Sequence, residues 1–183
     1  MACPIGPDDT ISATLRITAD DNYKLYVDGA LIDDTPRLWS DPQTYTVKLY
    51  RHPTHKNVIA VEGINTQKIS GLDRGVIVDI AFTLGASTRA VLTDASWKLS
   101  TRLAADWFAP SFNDAAWSAP TVEGPHGIAP WGPVLGTSSA QWLWSYSSDL
   151  SVDQKPVDET VYLRKTFYLS TAGAPLDAPG TCP

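Results

Sequence analysis

Basic residues are scarce and scattered. Fourteen Lys and Arg stand against 20 Asp and Glu, a net charge of −6. They form no stripe, which argues against nucleic acid, because phosphate binding needs clustered cations. Long apolar runs are missing: nothing approaches the roughly 20 residues of a membrane span, so no membrane insertion is expected. The first residues, MACPIGPDD, lack the basic start and apolar stretch of a signal peptide. Helical stripes are missing too, since no window of about 11 residues repeats its apolar positions at helical spacing.

Catalytic frameworks are equally hard to find. The three histidines, His52, His55 and His126, show no metal-binding spacing. There is no Gly-rich phosphate loop and no G-x-S-x-G elbow. The acidic pairs Asp8-Asp9 and Asp33-Asp34 sit in no glycosidase framework. The chain is therefore expected not to be an enzyme. Cysteine is rare, and its two copies, Cys3 and Cys182, lie at opposite ends. Domain termini are often close in space, so a bridge sealing the ends is one expectation, worth roughly 5 kcal/mol in the chain-entropy model. Two free thiols in frayed tails are the alternative. A bridge implies an oxidising, extracellular or cell-surface location.

What the sequence has is strands and aromatics. Seven Trp and seven Tyr accompany 43% apolar and 19% charged residues, an ordinary globular balance with a lean towards β structure and flat ligands. In ATLRITA, Leu15, Ile17 and Ala19 alternate with Thr14, Arg16 and Thr18. After Asp20-Asp21-Asn22 the alternation resumes through Tyr23, Leu25 and Val27, which predicts an antiparallel hairpin with the triplet at its tip. Asp28-Gly29 predicts a second turn. TYTVKLY, KNVIAVEGIN, RGVIVDIAFTL and VYLRKTFYL read as further strands. Residues 86–145 are rich in Trp, Pro and Gly, a loop-dominated stretch that is functional or heavily packed upon. The pattern predicts a single all-β domain over 1–183, a jelly-roll β-sandwich with its core at about residues 12–170.

Several of these segments resemble a known family. ITADDNYKLYVDGALI, the Trp39 that follows, NVIAVEGIN, GVIVDIAFTL, LTDASWKLS, FNDAAWSAP, WLWS and VYLRKTFYL are similar to the galactose-binding-domain-like β-sandwich. More narrowly, they resemble the non-catalytic carbohydrate-binding modules attached to bacterial rhamnosidases and β-galactosidases. In those modules the WLWS…VYLRKTFYL segment precedes the ITADDNYKLYVDG segment, whereas here it follows. The resemblance implies a sugar as partner, and neighbouring domains in a larger chain. It also implies that an acidic or amide pair at the tip binds calcium and sugar together, with a Trp stacking on the ligand. Here the pair is Asp20 with Asp21 or Asp21 with Asn22, and the Trp is Trp39.

The chemistry suits those residue types. Carboxylate and amide oxygens bridge hydroxyl pairs, and a flat apolar face covers the C–H side of a sugar ring. Calcium takes six to eight oxygen ligands and accepts sugar hydroxyls among them. Asp and Asn are equally the residues of an ordinary turn. Asn65, at the end of a strand, and His126 and Trp131, in GPHGIAPWGP, complete the candidate sugar-binding set; Glu62 is a weaker candidate. Trp97, Trp117, Trp142 and Trp144 read as core. A carbohydrate-binding module or small lectin is the expected function. The alternative is a structural or adhesive extracellular module whose Trp-rich loops bind a partner protein.

Overall fold

The computed structural model describes residues 10–66, 74–146, 158–170, 175–176 and 178–179. Two sheets carry the chain. The first orders β4 (Gln43–Tyr50), β1 (Thr10–Asp20), β6 (Gly75–Leu84), β10 (Gln141–Trp144) and β9 (Thr121–Pro125), with β7 (Ser87–Leu92) also on β6. The second orders β12 (Pro175–Leu176), β11 (Glu159–Leu169), β5 (Asn57–Asn65), β2 (Asn22–Val27) and β3 (Ala30–Asp33), with β8 (Lys98–Ser100) on β11. The pairings are antiparallel, and the described residues include no helix.

Alternation explains the core. Leu15, Ile17, Val78 and Ile80 of the first sheet meet Leu25, Ile59, Val61 and Leu163 of the second, all fully buried. The expected jelly-roll-type sandwich is therefore present. The β2–β3 turn is also as expected: Asp28 at φ 48° and Gly29 at φ 85° give the two positive values of a type I′ hairpin.

The first predicted hairpin is not one. β1 pairs with β4 and β6, whereas β2 pairs with β5 and β3. Asp20-Asp21-Asn22 is thus a crossing from one sheet to the other. Period-two alternation cannot tell these cases apart, because each strand turns one apolar face inward whichever sheet it joins.

The Trp-rich loops explain why several strands are apolar on both faces. Residues 126–140 cover the outer face of the first sheet, where Ile77, Trp131, Leu135, Ala140 and Trp142 form a second core. Residues 104–117 cover the outer face of the second, where Val58, Ala60, Trp107 and Tyr162 form a third. In the NDAAW segment of the covering loop, Ala115 N donates to Asn113 Oδ1 at 3.0 Å. The expected Cys3–Cys182 bridge lies outside the described residues.

Candidate functional site at the sheet crossing

The crossing is fastened from three directions. Trp131 Nε1 donates to Asp20 Oδ2 at 2.8 Å, and Asp20 is only 7% exposed. Thr66 donates to Asp21 Oδ2 twice, from its amide at 2.9 Å and its hydroxyl at 2.6 Å. Asp21 N in turn donates to Ile64 O at 3.0 Å. Asn22 Oδ1 accepts from Tyr23 N at 3.0 Å and Arg37 N at 3.3 Å. The peptide bond between Asp20 and Asp21 is cis.

The outward residues of β1 hold the surrounding loops. Arg16 donates to Leu135 O, to Thr137 O at 3.0 Å and to Asp79 Oδ2 at 2.8 Å. Thr18 Oγ1 donates to Trp39 O at 2.8 Å, and Asp20 takes the Trp131 indole. At every second position, then, β1 ties down a loop that frames the crossing. The loop carrying Trp39 has a further clasp. Asp33 accepts from the Tyr45 hydroxyl, from Thr35 N at 3.0 Å and from Arg37 Nη2 at 3.0 Å. Burial alone would raise the Asp33 carboxyl, but hydrogen bonds from Tyr45, Thr35 and Arg37 outweigh it and hold the group well below the carboxylate range. Burial and the Asp33 charge together push the Tyr45 hydroxyl far up.

The candidate residues take different places. Asp20 and Asp21 lie at the crossing itself. Trp39 is half-buried and packs against the second core beside Trp131 and Ile128. Trp131 cannot offer its ring to a ligand here: it is 2% exposed and stacks on Trp142 with centroids 4.1 Å apart. It positions Asp20 instead. His126 serves its own loop, its Nε2 accepting from Leu135 N at 3.0 Å. Asn65 is fully buried at the end of β5, next to Thr66. Glu62 pairs with Lys24 at 3.0 Å on the outer face of the second sheet, away from the crossing.

Sequence reasoning missed Thr66, Thr18, Arg16 and Gly75. The Trp131–Trp142 stack rests over Gly75, where an added Cβ would come within 2.8 Å of Trp142. One signal for this seat was legible: a Gly opening an otherwise bulky strand marks a close approach.

The crossing carries two carboxylates at adjacent positions, Asp20 and Asp21, each already accepting from a neighbouring residue. This donor chemistry suits calcium. The Asn22 side-chain oxygen accepts two backbone amides and so fastens the neighbouring loop. Among the described residues no group of three or more His, Cys, Asp and Glu is arranged to hold a metal ion. Any further ligands for calcium would come from carbonyls, water or the sugar itself.

Fold and site together define a galactose-binding-domain-like β-sandwich with an acidic crossing between its sheets, as the sequence resemblance implied. No family model matches the chain. It is homologous to part of the α-L-rhamnosidase of Streptomyces avermitilis: 34% identical over 140 residues, which are 73% of this chain and 13% of that protein. The crystal structure of that rhamnosidase complexed with L-rhamnose superposes with a TM-score of 0.56 at 30% identity, covering 70% of this chain and 13% of the enzyme. The lectin of Pleurotus ostreatus in complex with GalNAc gives a TM-score of 0.57 at 26% identity, covering 71% of this chain and 38% of the lectin.

Proposed function

We propose that the chain is a non-catalytic carbohydrate-binding module that takes a neutral sugar or glycan terminus at the Asp20–Asp21 crossing. The supporting observation is a pair of adjacent acidic residues fastened at the crossing, Asp20 by Trp131 and Asp21 by Thr66, with half-buried Trp39 on the flanking loop, in a fold shared with structures that hold L-rhamnose and GalNAc. Calcium would be held by Asp20 and Asp21 and would supply a positive centre for vicinal sugar hydroxyls. Fastening these side chains beforehand lowers the ordering cost of binding. The match to 13% of the rhamnosidase supports a module that works beside other domains, where several weak sites would add through multivalency. Among the described residues no helix is long and apolar enough to cross a membrane.

Isothermal titration with L-rhamnose and GalNAc, in calcium and again in chelator, tests the proposal. Saturable binding that is lost in chelator and in Asp21→Asn is the expected result. If neither sugar binds and a glycan array stays blank while circular dichroism shows a folded protein, the module is not a lectin. An adhesive role in binding a partner protein then takes its place.

A further inference from the structure

A polar pocket lies away from the crossing, on the outer face of the second sheet. It has a volume of about 360 Å³ and is lined by Ser96, Lys98, Asp114, Arg164, Lys165 and Thr166. Register puts its key side chains together. Lys98 is the direct cross-strand partner of Arg164 in the β8–β11 ladder, and Thr166 follows Arg164 by two residues on the same strand. All three therefore project from one face.

Two cations directly opposite each other destabilise a ladder unless something negative lies between them. Only one carboxylate lines this pocket, Asp114, and its Oδ2 is taken by Arg164 Nε at 2.9 Å. Arg164 is 1% exposed, so its place is fixed. Its Nη1 donates to Trp107 O and to Ala109 O at 3.2 Å. Among the described residues Nη2 has no hydrogen-bond partner, and the Lys98 ammonium makes neither a hydrogen bond nor an ion pair. In a chain of net charge −6, one small pocket thus joins a buried guanidinium in its wall, packed against the Phe112 ring, to an ammonium.

The geometry points to a second binding subsite here, for the carboxylate of an acidic sugar of the uronic-acid type. One carboxylate oxygen would take Arg164 Nη2 and the other the Lys98 ammonium, as charge-assisted hydrogen bonds. The Thr166 side chain, also in the lining, would meet a ring hydroxyl. The pocket opens on the flat of the sandwich, so it suits an acid group displayed along a polysaccharide chain. This subsite uses none of the residues at the Asp20–Asp21 crossing.

Titration of the ¹⁵N-labelled chain with sodium glucuronate, followed by NMR at constant ionic strength, tests the subsite. Glucose and sodium sulfate serve as comparison probes. The expected result is saturable shifts centred on Lys98, Arg164 and Thr166 with glucuronate and none with glucose. Lys98→Gln, a change at a half-buried polar position compatible with folding, should weaken glucuronate roughly fivefold or more. Three outcomes overturn the assignment: no saturable shift with glucuronate, equal affinity in Lys98→Gln, or saturation by sulfate but not glucuronate, which would mean an adventitious ion only. The crossing is read separately by L-rhamnose in calcium, so failure of either site leaves the other measurable.

Discussion

Asp28 occupies a tight turn, with Oδ1 accepting from Val58 N at 2.6 Å. Burial nonetheless dominates and pushes its carboxyl up from 3.8 to about 6, the Val58 amide only partly opposing the shift. A raised folded-state value means that the folded chain keeps its proton where the unfolded chain has released it. Stability should therefore fall as pH rises from about 4 to about 6, by at most about 3 kcal/mol, and stay lower above that range. Asp28→Asn keeps the acceptor and tolerates the positive φ. Urea unfolding of this variant should show greater stability at pH 7.5 and no decline between pH 4 and 6. Trp131 makes a comparable prediction for the site. Trp131→Phe keeps an aromatic ring against Trp142 but removes the N–H that aims Asp20. Sugar affinity measured calorimetrically in calcium should fall about tenfold, since a hydrogen bond to a charged group is lost, while circular dichroism should still show the β fold.

At the scale of the element, β1 decides how the site is assembled. Its inward residues make core and its outward residues Arg16, Thr18 and Asp20 each secure a different loop. The alternation of this strand was legible in the sequence. Its outward face looked solvated, because a Thr or Arg that faces water and one that faces a covering loop read alike. Arg16→Met tests the point. It would strand Asp79, whose side chain is 5% exposed, without its ion partner. A loss of roughly 2 to 3 kcal/mol is expected, reduced because the Arg16 side chain is itself 28% exposed. Hydrogen exchange should quicken at the amides of Gly132 to Gly136 before the strands. Arg16→Met with Asp79→Leu should recover most of the stability.

For the whole molecule, calcium binding at the crossing would be coupled to folding. Asp20 ends a strand of one sheet and Asn22 begins a strand of the other, so an ion held by Asp20 and Asp21 would bind only when both sheets are assembled. Calcium at about 100 times its Kd should then stabilise the fold by about 2.7 kcal/mol, a rise of roughly 5–10 °C in Tm for a chain of this size. Scanning calorimetry should show that rise in calcium, its absence in chelator, and its loss in Asp21→Asn. An equal rise in Asp21→Asn would place the ion elsewhere.

The sequence by itself determined strands β1, β2, β4, β5, β6 and β11, their inward faces and the acidic residues at the crossing, because alternation and turn chemistry are local properties, whereas β7, β8, β9 and β10 lie in the stretch that read as loops. It also carried the likeness to a sugar-binding sandwich through segments such as ITADDNYKLYVDG. Only the tertiary structure decided that β1 and β2 belong to different sheets and that Trp131 grips Asp20. It likewise decided that Thr66 closes on Asp21 and that Lys98 faces Arg164. The first depends on which distant strands β1 and β2 pair with and the others join residues far apart in the chain, and long-range pairing is set by how two sheets and their covering loops fill space together. No local pattern in the sequence encodes it.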